Sequence, residues 1–462
     1  MVDEPRSLRT HPELFSHVTF PLFKTEGEKP KSWIEKALSV FADVRAGEGA
    51  GALLMAVNAF ILLSLYYLLK PARETLILTQ GGAEVKAYSA AGQALLLILV
   101  IPFYGWIGTK VDRFKLVAGS LVFFALNLAV FYLAGQAGAR EGVVFYIWLG
   151  IFNVFVVSQF WAFANDIYTE GQGRRLFPFI GIGSSLGGVW GALAASQMIK
   201  RMGLSPYDLM AVAGAMLILS LVIVWVVNRR EKRSGSPEAA MLAEKKLNTE
   251  GGFQLIMRDR YLMLIAAMIV LLNFVNTSGE YILGKLIVTE SFARFGEGAA
   301  SEAARGQFIG GTWADFFMWV NLLGLVLQAG FVSRLIRHIG VRGSLFVMPC
   351  ISLASYAMVF GAPMLAIVKL GKTLENSTDY SLQNTLKQAL WLPTSREAKY
   401  KAKAAVDTFF MRAGDFASGG AVAVGTSIGA SVRMFALFNV ALAAVWLWVA
   451  WRIKAEHRRR TL

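Results

Sequence analysis

The chain has 462 residues, of which 55% are hydrophobic and 17% charged, and its mean hydropathy is +0.51. Soluble domains carry about 25% charged residues, so this composition excludes an ordinary soluble protein and predicts repeated membrane-spanning helices. The net charge of +15 would suit nucleic-acid binding only if basic residues shared one exposed face. They lie in the gaps between apolar segments instead, so nucleic acid is not an expected partner.

The first 48 residues are predicted to form a cytoplasmic segment ahead of the first membrane span. Residues 1–30 are polar and lack the apolar core of a cleavable signal peptide. In residues 31–47, apolar side chains such as Trp33, Leu38 and Phe41 recur at helical spacing among charged ones. This pattern predicts an amphipathic helix, which either lies along the membrane interface or packs on the cytoplasmic loops.

Twelve apolar stretches long enough for membrane-spanning helices follow. They are predicted at 51–69, 89–106, 116–134, 143–164, 177–199, 207–227, 261–284, 314–333, 343–360, 364–390, 407–428 and 431–451. A charged central segment divides them into two sets of six, so the predicted fold class is an all-α membrane protein with two six-helix bundles. The predicted domains are the segment 1–48, the bundles 49–228 and 261–451, the cytoplasmic linker 229–260 and a basic cytoplasmic tail 452–462.

The distribution of charge predicts the orientation in the membrane. Most of the 46 lysines and arginines lie in the two tails and in alternate gaps between spans. Because cytoplasmic loops carry an excess of these residues, both termini are expected in the cytoplasm. The single cysteine, Cys350, excludes a disulfide within the chain, and the histidines at 11, 17, 338 and 457 do not cluster. No metal site and no cofactor are therefore expected.

The two halves contain matching sequence features. The gap Gly108–Lys115, after span two, resembles the loop motif of the major facilitator superfamily, and Arg334–Arg342, after span eight, is a weaker counterpart. A basic loop also precedes a glycine-rich helix in each half. The glycines concerned are Gly181, Gly183, Gly187, Gly188, Gly414, Gly419 and Gly420. Such small residues allow helices either to slide or simply to pack closely, and the sequence favours neither interpretation.

Motifs for nucleotide hydrolysis do not fit the sequence. Gly371–Thr373 matches the end of a phosphate-binding P-loop, but Ala366 occupies the position of its first glycine. The segment also lies in an apolar span, whereas a P-loop joins a strand to a helix. The chain is therefore predicted not to be an enzyme. If a membrane protein of this kind transports a solute, the transport is expected to depend on solute or ion gradients or on exchange, and not on ATP hydrolysis.

Polar and ionisable side chains within the spans are candidate site residues, because such groups are costly in a bilayer. Span ten is the richest, with four charged residues on one stripe of the helix. The candidate substrate-binding residues are Lys70, Arg73, Asn153, Asn276, Lys285, Lys369, Lys372 and Arg412. The candidates for proton binding or ion-pair switching are Glu280, Glu375, Asp379 and Asp415. The alternative is that opposite charges on one helix merely neutralise each other.

Four segments resemble the ATP/ADP carriers of plastids and intracellular bacteria. They are Tyr66–Leu76, Phe160–Asp166, Arg175–Gly183 and Lys401–Asp407. The resemblance implies twelve helices in the major facilitator arrangement, a bacterial inner-membrane location and counter-exchange of nucleotides, with proton symport in some relatives. It also implies a functional basic residue at Arg73 and an acidic residue near Glu280.

Two positions depart from the pattern of these carriers. Their acidic residue in span four has no counterpart in Trp148–Ile151, and Asp379 replaces their essential lysine in span ten. A carboxylate in place of a phosphate-binding lysine reverses the local charge. The sequence thus predicts a secondary carrier of a nucleotide or similar anionic metabolite, working by alternating access with exchange or proton coupling. It leaves open a proton-coupled carrier of an unrelated solute and a non-transporting scaffold or sensor, and it does not indicate the oligomeric state.

Overall fold

The structure is a computed structural model, which describes residues 31–39, 43–108, 111, 113–231, 252–395 and 397–461. All regular elements in these ranges are helices. By length and apolar composition, nine of the described helices could cross a membrane, or ten if one bent pair counts as a single span. The predicted class of an all-α membrane protein is confirmed, and the number of twelve spans stays a prediction.

The helices are numbered in chain order. They are α1 Trp33–Leu38, α2 Gly49–Gln80, α3 Gly82–Gly108, α4 Arg113–Gln136, α5 Gly142–Ile167, α6 Glu170–Lys200, α7 Pro206–Glu231, α8 Gly252–Arg258, α9 Arg260–Phe295, α10 Glu302–Gly330, α11 Val332–Ser344, α12 Val347–Gly361, α13 Leu365–Thr378, α14 Asn384–Leu390, α15 Lys403–Ala405, α16 Met411–Ser427 and α17 Val432–Thr461. Three π-helical turns, Asp379–Gln383, Ala398–Ala402 and Val406–Phe410, lie between or before the later helices. We call α2–α7 the first bundle and α8–α17 the second bundle.

Polar caps determine where two of the long helices begin. At α6, the Thr169 side chain accepts the N–H of Gln172 at 3.4 Å, and the Gln172 side chain accepts the N–H of Thr169 at 3.0 Å. At α9, the Asp259 carboxylate accepts the N–H of Tyr261 at 2.9 Å. The first N–H groups of a helix have no partner within it, so these side chains stabilise the helix start.

The glycine-rich helices pack closely within each bundle. A Cβ at Gly187 of α6 would lie 2.4 Å from the carbonyl oxygen of Phe60 in α2. A Cβ at Gly414 of α16 would lie 2.6 Å from the carbonyl oxygen of Val270 in α9. Both distances are shorter than a carbon–oxygen contact allows, so α2 with α6, and α9 with α16, form equivalent close pairs.

We expect Gly187→Ala to lower the free energy of unfolding by about 1–3 kcal/mol, because the methyl group forces α6 away from α2. The matched control is Gly181→Ala on the same helix, where a Cβ meets no atom within 4 Å. Thermal unfolding of both purified variants in detergent measures the difference. Equal stability of the two variants would contradict the packing explanation.

The bundles contact each other at the end of the helices remote from the chain termini. Ser196 of α6 donates a hydrogen bond to Asp315 of α10 at 2.7 Å, and Lys200 forms an ion pair with the same carboxylate. Tyr88 of α3 and Thr426 of α16 place their hydroxyl oxygens 3.1 Å apart. Further contacts between the bundles in this remote half join Lys285 to Glu84 and Gln307 to Ile199, and Lys86 meets Glu280 nearer the middle.

Two of the repeated glycines face the opposite bundle. A Cβ at Gly188 would lie 2.9 Å from the Asn321 side-chain oxygen, and a Cβ at Gly419 would lie 2.7 Å from the Cβ of Ala91. These small residues therefore pack closely both within a bundle and between bundles, and helix sliding stays a prediction.

The predicted amphipathic helix over 31–47 is wrong in extent, since α1 covers only Trp33–Leu38. Residues 40–42 lie outside the described part of the chain. The Glu35 carboxylate accepts the backbone N–H groups of Ser32 and Gly47, each at 2.7 Å. The bond to Ser32 caps the start of α1, and the bond to Gly47 ties the residues before α2 to this helix.

Two further segments differ from the sequence-based expectation, and a third lies partly outside the described residues. Arg334–Arg342, predicted as a gap, lies in α11, which is bent by 78° from α12. Gly340 has a φ of 70°, in the left-handed region that glycine tolerates, and it kinks α11 itself, ahead of the bend between α11 and α12. The segment 452–462, predicted as a tail, continues α17 as far as Thr461. Several residues of the motif Gly108–Lys115 lie outside the described residues.

Candidate functional site

A buried set of charges links the two bundles near the middle of the helices. On α2, the Arg73 guanidinium donates to the Glu74 carboxylate at 3.1 Å. The Lys86 ammonium, on the first turns of α3, lies 2.6 Å from Glu74 and 3.5 Å from Glu280 of α9. Glu74 is completely buried and Lys86 nearly so. Lys86 therefore connects a carboxylate of the first bundle to one of the second.

Lys70 lies one turn before Glu74 on α2 and is enclosed by aromatic rings. Its ammonium is 4.0 Å from the ring centroid of Phe317 in α10, and 5.0 and 5.5 Å from those of Tyr67 and Tyr66. Only 6% of the residue is exposed. The ring faces attract the cation, but its N–H groups have no hydrogen-bond acceptor among the residues that the structure describes.

The second bundle contributes a buried lysine–glutamate pair. The Lys372 ammonium lies 2.9 Å from the Glu375 carboxylate and donates to the Asn276 side-chain oxygen at 2.8 Å. The Tyr356 hydroxyl donates to Glu375 at 3.0 Å. Both charged side chains are 2% exposed or less. In this state of the protein, the two charges neutralise each other.

A second pair in this bundle lies on α16. The Arg412 guanidinium is 3.2 Å from the Asp415 carboxylate, which also accepts a hydrogen bond from Thr277 at 2.7 Å. Glu280 experiences the charges of four surrounding lysines and arginines and of Asp415. We call the whole group the central charge cluster. Its members are Lys70, Arg73, Glu74, Lys86, Glu280, Lys372, Glu375, Arg412 and Asp415.

The charged stripe predicted on span ten does not form a single group. Lys372 and Glu375 lie in the central charge cluster, whereas Asp379 pairs with Lys387 at 3.2 Å. Lys369 instead experiences the charge of Asp315 at the remote contact between bundles. A helix rises about 1.5 Å per residue, so residues on one stripe reach different depths. Helical spacing alone therefore groups residues that occupy separate environments.

Two other candidates also lie apart from the cluster. Lys285 pairs with Glu84 of α3 across the bundles, and the Tyr281 hydroxyl donates to the same carboxylate at 3.2 Å. Asn153 is half-buried on α5. The helix α5 contacts the central charge cluster through Tyr146. The ring centroid of this tyrosine lies 4.4 Å from the Arg73 guanidinium.

Sequence reasoning missed Lys86, which holds the two bundles' carboxylates together. Span two was predicted to begin at residue 89, so this lysine was assigned to a loop. The helix α3 actually begins at Gly82, directly after α2. The Gly81–Gly82 pair is the signal that would have indicated so short a turn. Phe317, whose ring contacts the Lys70 ammonium, and Tyr356, which donates to Glu375, have no such signal. In sequence they resemble ordinary apolar core residues.

The central charge cluster has five basic and four acidic members, so it carries a net positive charge. A positive excess in a low-dielectric surrounding attracts an anion more strongly than it would in water. In the part of the chain that the structure describes, no group of three or more His, Cys, Asp or Glu could hold a metal ion. The arrangement is suited to binding a small anion between the bundles.

Comparison with known proteins agrees with this geometry. Residues 141–293 and 332–457 match the family model described as TLC ATP/ADP transporter. ADP,ATP carrier protein 1 of Chlamydia trachomatis serovar D is 22% identical over 458 residues, and the alignment covers 83% of this chain and 84% of that protein. The resemblance stated from the four sequence segments is confirmed.

Solved structures of transporters share the fold. The nucleoside transporter NupG superposes with a TM-score of 0.61 at 11% identity, covering 88% of this chain and 98% of NupG. A bacterial homologue of the iron transporter ferroportin, in an inward-facing state, superposes with a TM-score of 0.58 at 14% identity, covering 88% and 98%. These likenesses identify a major facilitator-type fold. The matched family and structures are transporters, which confirms that the chain is not an enzyme.

Proposed function

Because the chain belongs to the TLC ATP/ADP transporter family, we propose that it carries a nucleotide or a similar anionic metabolite across a membrane. Transport is secondary and proceeds by alternating access, with exchange or proton coupling as the driving reaction. The two predicted bundles, 49–228 and 261–451, move against each other, and the linker 229–260 joins them. The solute binds at the central charge cluster.

The observation that carries this proposal is the enclosed ammonium of Lys70. The Lys70 residue is 94% buried and its ammonium has no acceptor among the described residues, so little solvent remains to stabilise the charge and no hydrogen bond replaces what is lost. An anionic solute supplies both the opposite charge and the missing acceptors. The rings of Tyr66, Tyr67 and Phe317 keep this ammonium in place while the site is empty.

The positions of the contacts between bundles support an access route from the side of the chain termini. The ion pair of Lys200 with Asp315 and the contact of Tyr88 with Thr426 join the bundles at the remote end. A cavity of about 750 Å³ at that end is lined by residues such as Thr79, and none of the cluster's charged residues lines it. With both termini in the cytoplasm of a bacterial inner-membrane protein, these contacts would close the opposite side, and the solute would enter from the cytoplasm.

The test is exchange of labelled nucleotides by purified protein in liposomes. We expect uptake of external labelled nucleotide to rise at least tenfold when the liposomes contain unlabelled nucleotide, because exchange requires a solute on the inner side. Uptake without any internal solute that follows an imposed pH gradient would favour proton coupling. Failure to transport any nucleotide under either condition would contradict the proposed substrate class.

A further inference from the structure

Resting on the proposed function, we propose that the central charge cluster takes a nucleoside monophosphate in preference to a nucleoside diphosphate or triphosphate. This proposal depends on which basic residues of the cluster have a carboxylate partner, and not on the total charge of the cluster. Lys70 is the single basic residue of the cluster without a carboxylate partner among the described residues, so the site offers one open cation to a solute.

Every other basic residue of the cluster is already neutralised. On the first-bundle side, Arg73 and Lys86 both contact Glu74, and Lys86 also contacts Glu280. The second-bundle pairs are equally complete: Lys372 lies 2.9 Å from Glu375, and Arg412 lies 3.2 Å from Asp415. Later in span ten, outside the cluster, Lys387 is paired with Asp379.

These pairs set a limit on how much negative charge the site accepts. A second phosphate would need a second cation, and it would obtain one only by displacing a carboxylate from its partner. The displaced carboxylate of Glu375 would remain buried without a counter-charge, since it is 1% exposed. One phosphate, with about 1.5 to 2 negative charges at pH 7, meets the ammonium of Lys70 without breaking any pair and adds less uncompensated charge than a diphosphate or triphosphate.

The surroundings of Lys70 also suit a flat heterocyclic ring. Tyr66 and Tyr67 contact each other edge to face with centroids 5.3 Å apart, and Tyr380, on the π-helical turn of span ten, is 41% exposed. Tyr67 itself is buried, with 7% of the residue exposed, so a nucleobase would stack on the half-buried Tyr66 and on Tyr380. A phosphate near Lys70 and a base against the tyrosines together describe a nucleoside monophosphate.

The experiment measures binding of AMP, ADP, ATP and adenosine to the full-length purified chain by calorimetry at one ionic strength. We expect the Kd of AMP to be at least tenfold lower than those of ATP and adenosine. ADP or ATP binding as tightly as AMP would overturn this inference and leave the proposed function standing. No binding of any of the four compounds would contradict the proposed function itself.

Two variants test the reason for the preference. Lys70→Met keeps an unbranched side chain within the aromatic cage and removes the charge, so the Kd of AMP should rise at least tenfold while that of adenosine stays unchanged. Asp415→Asn keeps an acceptor for Thr277 and frees Arg412 as a second open cation. The ratio of the AMP Kd to the ADP Kd should then shift about tenfold in favour of ADP.

The matched control is Glu290→Gln, which makes the same neutralisation in an exposed pair with Arg294. It should leave all four Kd values at the wild-type level. Melting temperatures without ligand establish that each variant is folded. An unchanged AMP Kd in folded Lys70→Met, or an unchanged AMP-to-ADP ratio in folded Asp415→Asn, would overturn the inference.

Discussion

Replacing Glu74 by alanine is expected to destabilise the protein more than any other single change in the central charge cluster. Its completely buried carboxylate receives Arg73 and Lys86, both of which are themselves buried. Removing it leaves Arg73 without a counter-charge and Lys86 with only Glu280, 3.5 Å away, in a low-dielectric environment, a change that costs about 3–5 kcal/mol. Thermal unfolding in detergent should show a lower melting temperature, and nucleotide exchange in liposomes should be lost.

The control for this change is Glu290→Ala. Glu290 forms an exposed ion pair with Arg294 one helical turn away. Such a surface pair contributes less than about 1 kcal/mol, because water already solvates both charges. A Glu74→Ala protein as stable as the Glu290→Ala protein would mean that Arg73 and Lys86 find other partners, contrary to the arrangement described here.

Locking the remote contact between the bundles is expected to stop transport completely. Tyr88 and Thr426 meet across the bundles with their hydroxyl oxygens 3.1 Å apart. The length of the tyrosine ring keeps the two Cβ atoms too far apart for a direct disulfide. We therefore expect a protein with Tyr88→Cys, Thr426→Cys and Cys350→Ser to be cross-linked by a bifunctional methanethiosulfonate, whose bonds to the cysteines are reducible. If the bundles must separate at this end during each cycle, exchange in liposomes should fall to the background of empty liposomes and return after reduction.

The single variants Tyr88→Cys and Thr426→Cys, each in the Cys350→Ser background, are the controls, since neither alone can form the link. They should retain their exchange activity after the same methanethiosulfonate treatment. A fully cross-linked double variant that exchanges nucleotide at the unlinked rate would exclude alternating access by separation at the remote end. Proteolysis of the predicted linker 229–260 separates the two bundles on a gel unless they are cross-linked. The uncleaved gel mobility therefore gives the fraction of cross-linked protein.

The membrane class and the family could be recognised from the sequence, because both depend on local features. A run of about twenty apolar residues needs no tertiary information to indicate a membrane helix. Motifs such as Phe160–Asp166 and Lys401–Asp407 are contiguous and so survive without a structure. Arg73 and Glu280 could also be selected as candidates, since a charge within an apolar span is costly wherever it points, and both lie in the central charge cluster.

The contact partners of these residues could not be predicted from local sequence features. Lys86 lies in the same bundle as Glu74, yet its role depends on a turn between α2 and α3 that is shorter than hydropathy suggested. The stripe containing Lys369 and Asp379 was identified correctly as a helix face, but depth along the axis separates its ends. An angular pattern contains no information on which neighbouring helix lies at each depth.

The sequence alone thus determined that this protein is a polytopic α-helical membrane protein of a transporter family, because apolar length and contiguous motifs are properties of the chain itself. Only the tertiary structure decided which cation is left without a partner. Ion pairing depends on distances between side chains on different helices, as with Lys86, Glu74 and Glu280. The distinction between Lys70 and its paired neighbours, on which the expected specificity rests, arises entirely from that packing.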